Sequence, residues 1–418
     1  MTRRVLFLHY TPPGVIGGVE DVMHQHRSLL EWRGYTVECA AGRSAGAIGP
    51  VTVIPQIDAA RPENALIEEE LAAGVVSDDF RAAEAEIHRR LEPLFRSADS
   101  VIVHNAFTLH FSLPLTAALC RLAAVEPPGK IIAWCHDLAW TNPLYVPAMH
   151  EGFPWRLLRT RQPNVQYVTV SHERKDELCQ LWGGACDEID VIPNGVDPAG
   201  FLQLSAETRA IIAAHRLFER DVVLFLPVRI TRRKNIEVGI RIVAALRDRG
   251  IDACYLVSGP RAPHHPGRSM SYLDELKSLR SQLGVEEQVV FLADELGGNL
   301  ELRVVSELYS VADALLFTSG QEGFGLPILE AGIRRLPVVL SDIPIFREVA
   351  ASDASFLDGN ESADKMAEVV LRALDNNASR LYRRVLREYR WDAIVDRKII
   401  PLLSRNEPTA SGHVDAHS

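Results

Sequence analysis

No apolar run in this 418-residue chain approaches the ~18 residues a helix needs to cross a bilayer, so the sequence offers no membrane span. It has no CxxC pair and no zinc-like cysteine spacing. No DxD occurs, so nothing marks a dedicated divalent-metal site for a nucleotide. GxGxxG and GK[ST] are missing too, which removes the dinucleotide fingerprint and the phosphate loop of nucleotide hydrolases. Positive charge is in short supply, with 45 Lys and Arg against 55 Asp and Glu and a net charge of −10. That excludes general nucleic-acid binding, which needs a basic face. An anionic ligand would require a local basic cluster, and RITRRKN (229–235) is one. The six cysteines, Cys39, Cys120, Cys135, Cys179, Cys186 and Cys254, sit mostly in apolar patterns and read as reduced thiols of a cytoplasmic protein rather than as disulfides. The opening MTRRVLFLHYTPP has too short an apolar run for a secretory signal and no small-residue cleavage site.

What is present is an alternation of short apolar runs with helix-length amphipathic segments. VLFLHY (5–10), TVECA (36–40), VTVIP (51–55), VIVHN (101–105), IIAWCHD (131–137) and YVTVS (167–171) read as strands. Most lack polar alternation, as parallel strands covered on both faces do. Between the first two, Val19, Val22, Met23, His26, Leu29 and Leu30 share one helical face that Gly34 ends. After VIPNGVD a second series follows: VVLFLPV (222–228), ACYLVSG (253–259), VVFLA (289–293), ALLFTS (314–319) and PVVLSD (337–342). The pattern predicts an α/β protein of two doubly wound parallel-sheet halves joined near residues 197–220, with ligands in the cleft beyond the strand ends. The last 13 residues, NEPTASGHVDAHS, are polar and aperiodic and read as a disordered tail.

EGFGLPILE (322–330) is the most informative segment. It predicts a strand end, a glycine turn and a helix start, with Pro327 at the first helical position. Gly323 and Gly325 allow close backbone approach. Glu322 and Glu330 bracket the turn with carboxylates, each able to accept hydrogen bonds from the hydroxyls of a sugar or a ribose. In TPPGVIGGVED, Gly17 and Gly18 precede a helix whose N-terminus is a ready anion site, although a bare glycine turn fits that stretch equally well. Arg229 and Lys234 offer a guanidinium fork and a point charge for phosphate. Arg232 and Arg233 read as solvated bystanders. A histidine in an apolar run is by default a satisfied core residue. His104 and His136 stand at adjacent strand ends, which shifts the reading towards function, most of all for His136. Gly42–Gly46 matches GxSxG but leads into another strand rather than a helix, so it is a loop and not a nucleophile elbow. His24/His26 and His264/His265 lack metal-ligand partners. WRLLRTRQP (155–163) reads as a solvated basic helix face, with a peripheral membrane contact or an anionic acceptor as the alternatives.

Together these residues resemble the GT-B glycosyltransferases, most closely the retaining enzymes of family 4. The resemblance runs from the GGVE turn through VIPNGVD, Arg229/Lys234, SGP (258–260), the E-x7-E segment and SDIPIFREV (341–349) to YRWDAIV (389–395). The stretch SGPRAPHHPGRS departs from the glycine-rich turn often found there. The resemblance implies two Rossmann-like domains facing across a cleft, an acceptor domain at 1–200 and a donor domain at 201–385. It also implies a helix at 386–405 that crosses back, followed by the tail at 406–418. It implies that Glu330 binds the ribose, and that Glu322 with Gly323, Phe324 and Gly325 holds the donor sugar. Arg229 and Lys234 would neutralise the diphosphate, Gly17 and Gly18 would meet the distal phosphate, and His136 would lie beside the sugar. The acceptor side falls in the N-terminal half, where His104, Asn105, Phe107 and residues 138–160 are candidates to line it on position alone.

The implied function is retaining transfer of a hexosyl unit from a nucleotide-diphosphate sugar to a hydroxyl acceptor, with no cofactor and no metal. Small soluble acceptors stand slightly ahead of lipid or polysaccharide precursors. A lipid acceptor would predict an exposed basic-apolar patch from Trp155 to Arg161. The rival readings are a same-fold epimerase or phosphorylase, and a non-catalytic sugar-nucleotide-binding regulator or subunit.

Overall fold

The computed structural model describes residues 3–405 apart from 59, 185, 187 and 261–265. The pair His264/His265 and the tail from 406 therefore lie outside the described residues. The chain divides into two compact units, one of Met1–Val196 with Tyr389–Ser418 and the other of Asp197–Glu388. Among the described residues no helix is long and apolar enough to cross a membrane.

The first unit contains β1 (Arg4–Leu8), β2 (Thr36–Ala41), β3 (Thr52–Val53), β4 (Ser100–His104), β5 (Ile131–Cys135), β6 (Val165–Thr169) and β7 (Asp190–Val191). They form one parallel sheet in the order β3-β2-β1-β4-β5-β6-β7. The second unit contains β8 (Val222–Leu226), β9 (Ala253–Val257), β10 (Val289–Phe291), β11 (Ala314–Phe317), β12 (Val338–Ser341) and β13 (Ser355–Leu357). Its parallel sheet runs β10-β9-β8-β11-β12-β13. β4, β5, β8 and β9 are buried along their whole length, as unbroken apolar runs require in a sheet covered on both faces. The short strands β7 and β13 have no counterpart in the sequence reading.

In both sheets the order turns about one neighbouring pair, β1/β4 in the first and β8/β11 in the second. Chain leaving such a pair diverges to opposite faces and opens a crevice beyond the carboxyl ends. Each unit therefore has one place where a ligand site is built in by topology.

The chain returns to the first unit at Tyr389. Val196 donates its N–H to the Tyr389 carbonyl, and Trp391 donates to the Val196 carbonyl. Trp391, Ile394, Val395, Ile399, Leu402 and Leu403 then pack against Val22, Met23 and Leu30 of helix Gly18–Trp32 and against Phe7 and Ile102 of the sheet. Gly195, in VIPNGVD, has a steric reason to be glycine. A Cβ there would lie 2.8 Å from the Trp391 ring and 2.9 Å from the Tyr389 carbonyl. In the second unit the Arg383 guanidinium pairs with Asp313, which also accepts from the Val223 N–H at 2.6 Å. That pair fastens helix Asn377–Glu388 to the sheet.

One expectation about cysteine is overturned. Cys179 and Cys186 form a disulfide, while Cys39, Cys120, Cys135 and Cys254 are free. Helix His172–Leu181 ends and the chain doubles back through Gly183 and Gly184, both at positive φ. This brings the two Cα atoms to 5.4 Å, within the usual disulfide range.

Gly195→Ala should destabilise the protein by about 1–3 kcal/mol, the cost of overpacking a site that must shift. Urea unfolding followed by tryptophan fluorescence checks this. Gly298→Ala, whose Cβ would meet open space, is the neutral control.

Candidate functional site

In the second unit the switch point lies beyond β8 and β11. The β8 exit carries Arg229 to a turn, Arg232–Lys234, that leads into helix Ile236–Asp248. Gly259 makes this exit possible, since a Cβ there would fall 2.0 Å from the Val228 carbonyl oxygen. The loop after β9 therefore lies directly on the Arg229 backbone, and Ile230 donates to the Pro260 carbonyl. The SGP motif is a close-packing device.

The β11 exit brings Glu322 onto Lys234. The Lys234 ammonium donates to Glu322 Oε1, and each side chain is only 8% exposed. Ser319 Oγ donates to the same oxygen at 2.9 Å, and Arg233 reaches Oε2 at 3.3 Å. Arg233 is thus a brace for Glu322 and not the solvated bystander expected from sequence. Arg232 pairs with the exposed Glu275. Burial draws the Lys234 pKa below its ordinary value, and the Glu322 carboxylate opposes that by stabilising the charged form. Arg229 is exposed, and none of the described residues accepts from its guanidinium.

Helix Leu326–Ile333 follows, with Gly325 as its cap at φ 102°. A side chain at Gly325 would be strained and would meet the Phe346 ring at 3.0 Å, whereas one at Gly323 would meet nothing. Leu326 opens the helix and Pro327 is its second residue, one place later than expected. Pro is tolerated there for the same reason, because N–H groups of the first turn have no partner within the helix. Phe324 is half exposed. Glu330 is exposed and accepts from Tyr309 Oη at 2.5 Å, which orients it and leaves acceptor capacity for a ligand. In SDIPIFREV, Arg347 binds both oxygens of Asp342 at 2.7 Å, so that motif closes its own turn.

In the first unit the switch point lies beyond β1 and β4, and a cavity of about 470 Å³ opens there. Gly18 and Val19 from the start of helix Gly18–Trp32 line it, together with His9, Thr11, Glu20 and Asn105. Tyr145, from the 138–160 segment offered for the acceptor, also lines it, with Arg43, Asp58, Asp137 and Phe111, which the sequence reading singled out for no ligand. Arg43 belongs to the Gly42–Gly46 stretch, which is a loop as read. The space in front of Gly17 is taken by the protein's own Glu20, whose carboxylate would meet a Cβ there at 2.2 Å. Thr11 Oγ1 donates to Glu20.

Four histidines cluster here, His9 in the cavity lining and His26, His104 and His136 behind it. His104 is fully buried, and its Nδ1 shares a hydrogen bond with His136 Nε2 at 3.1 Å across stacked rings. His9 Nδ1 bonds the His104 carbonyl at 3.1 Å. His26 is wedged between Trp134 and Trp391 with neither ring nitrogen paired among the described residues. Burial lowers the pKa of all four, to about 3 for His26 and His136. These rings are neutral at physiological pH. His104 lies in the wall, while Asn105 reaches the cavity.

In the segment 155–163 the basic residues Arg156 and Arg161 are exposed, as a solvated basic face requires, and the apolar side is turned inward. Trp155 and Leu158 are buried, Arg159 stacks over Trp140 and pairs with Glu151, and Arg161 pairs with Glu188. The basic-apolar patch that a lipid acceptor would predict does not form.

Two family models match this chain. That of glycosyltransferase family 4 covers residues 16–199, and that of the group 1 glycosyl transferases covers 207–389. The chain is a GT-B, family 4-like glycosyltransferase. Among similar proteins, a mannosylglucosylglycerate synthase of Thermotoga maritima is 24% identical over 82% of each chain. A D-inositol 3-phosphate glycosyltransferase of Actinosynnema mirum is 27% identical over 81% of this chain and 80% of its own. An uncharacterized glycosyltransferase of Methanocaldococcus jannaschii is 30% identical over 55% of this chain, and the match spans only 57% of that protein.

The buried histidines give this glycosyltransferase a pH-dependent stability. An imidazole with an unfolded pKa near 6.5 and a native pKa lowered by burial takes up its proton in the unfolded state first. Stability is therefore complete above about pH 6.5 and falls as pH drops towards the native values. The loss at pH 5 is about 2 kcal/mol for each such ring. Melting temperature measured from pH 8 to pH 5 should fall steeply, and His26→Leu should flatten that fall.

Proposed function

We propose that the enzyme transfers a hexosyl unit, with retention of anomeric configuration, from a nucleotide-diphosphate sugar to a hydroxyl of a small soluble acceptor. The observation that carries this reading is the buried Lys234–Glu322 pair at the β8/β11 switch point, beside an Arg229 that no described residue engages. As the bond between sugar and phosphate breaks, negative charge grows on the departing diphosphate. Lys234 meets that charge in a low-dielectric setting, where a fixed ammonium is worth more than in water. Glu322 stabilises the charged form of an amine whose pKa burial lowers, and Ser319 and Arg233 hold Glu322 still. Arg229 supplies a planar fork suited to a phosphate. The two charges do the neutralising work that a divalent ion does elsewhere, so EDTA should leave the rate unchanged.

Retention is supported by how the carboxylates are already engaged. Glu322 is bound to Lys234 and Glu330 is held by Tyr309. The leaving phosphate then takes the acceptor proton, and the bond forms on the face from which the diphosphate departs. Glu330 is placed to accept from a ribose diol and the Gly323–Gly325 turn to approach the sugar. A small acceptor is supported by the names of two relatives, which carry glycerate and inositol phosphate, and by the buried apolar side of 155–163.

The test is a panel of UDP-, GDP-, ADP-, CDP- and TDP-sugars with a mixture of small hydroxyl acceptors, the product read by anomeric proton coupling in NMR. An α-linked product from an α-donor is expected, and a β-linked product would overturn retention. Epimerised donor without transfer, or nucleotide binding without turnover, would move the assignment to an epimerase or to a binding protein. Lys234→Met should lower kcat about 10²–10³-fold, equivalent to about 3–4 kcal/mol of transition-state stabilisation, while the nucleotide still raises the melting temperature.

A further inference from the structure

We infer that the cavity beyond β1 and β4 is an acceptor pocket built for an uncharged polyhydroxylated ring, a sugar or cyclitol, with Asn105 and Asp137 reading its hydroxyls. This rests on the glycosyl transfer proposed above and names the chemistry of its acceptor.

The cavity volume of about 470 Å³ is within the range of small-molecule sites, roughly 300–1,000 Å³. Asn105 is the decisive side chain. Its backbone is held at φ 60°, an uncommon conformation that asparagine tolerates. Its Oδ1 accepts from the His136 N–H at 2.8 Å and the Asp137 N–H at 3.2 Å. Two donors on one side settle which end of the amide is oxygen, so the NH₂ group points away from them. The residue is 3% exposed, it lines the cavity, and nothing among the described residues accepts from that NH₂. That donor pair opens on the cavity, where a ligand hydroxyl can accept from it. Asp137 follows on the same strand exit. It too lines the cavity, with Arg174 close enough to interact with its carboxylate electrostatically.

Charge argues against an acidic acceptor. Glu20, Asp58 and Asp137 face the space against a single guanidinium, Arg43, which lies 3.8 Å from Asp58. His9 adds no positive charge, because burial keeps it neutral. A phosphate or carboxylate entering here meets net negative charge, whereas hydroxyls find carboxylates that accept and an amide that donates. The remaining wall is aromatic. Phe111 stands 5.8 Å from the Tyr10 ring and 5.6 Å from the Tyr145 ring, and the Tyr10 hydroxyl is already bound to the Leu109 carbonyl. Such faces suit the C–H side of a pyranose or cyclitol.

The experiment is ligand-observed NMR on the full chain, with myo-inositol and methyl α-glucoside and α-mannoside against inositol 1-phosphate, glucose 6-phosphate and glycerate. At least one neutral ring should bind at least tenfold more tightly than every acidic compound. Asp137→Asn should weaken it about tenfold, and Phe111→Ala should weaken it also. The thermal shift produced by nucleoside diphosphates should be unchanged in both variants. Tighter binding of an acidic compound, no binding of any neutral ring, or full affinity in both variants would overturn the inference. Loss of the nucleotide shift in the unmutated protein would instead refute the transferase reading, so the two failures are distinguishable.

Discussion

Strand order is the constraint on which everything else in this protein depends. In each unit the parallel sheet winds outward from one central pair of strands, and only there does the chain leave both strand ends in opposite directions. Most groups with a chemical role in the proposal stand at or beside such a point, Asp137 one strand away at the β5 exit. His9, Thr11 and Asn105 follow β1 and β4, and Arg229, Lys234 and Glu322 follow β8 and β11. Regular backbone pairing uses up the polar groups within the sheets, so ligand-binding capacity remains only where pairing stops.

The two switch points are furnished differently. The one in the second unit is a charge site, with a buried ammonium and carboxylate braced by a serine and an arginine, and a free guanidinium beside them. The one in the first unit is a cavity of hydroxyl-reading groups and rings, backed by neutral imidazoles. Both depend on glycines for steric reasons. Gly259 lets one loop lie on the Arg229 backbone, Gly325 caps a helix in a left-handed conformation, and Gly195 admits Trp391.

Much of this was legible in the sequence. Eleven of the thirteen described strands show as apolar runs, most of them because burial on both faces leaves no room for polar alternation. The E-x7-E turn shows because glycine, proline and carboxylate each have a local reason to be where they are. Less visible were the partners of those residues. Arg233 looked like surplus charge, since nothing in RITRRKN reveals that Glu322, 89 positions later, reaches it. Tyr309 gave no signal as the holder of Glu330. The Cys179–Cys186 bond was missed because spacing does not report that Gly183 and Gly184 fold the chain back.

By itself the sequence determined what depends on neighbours along the chain: two series of strands and helices, the turns between them, and the family. The tertiary structure alone decided which distant side chains meet, and so which charges are paired and which polar groups are left over. The sequence named Asn105 for the acceptor on position alone, and Asp137 not at all. What proposes them as ligand groups is that the β4 and β5 exits lie side by side and one amide oxygen has spent itself on two backbone N–H groups, leaving its NH₂ facing a cavity. Hydrogen-bond satisfaction is a property of the packed molecule, and no reading of adjacent residues can count it.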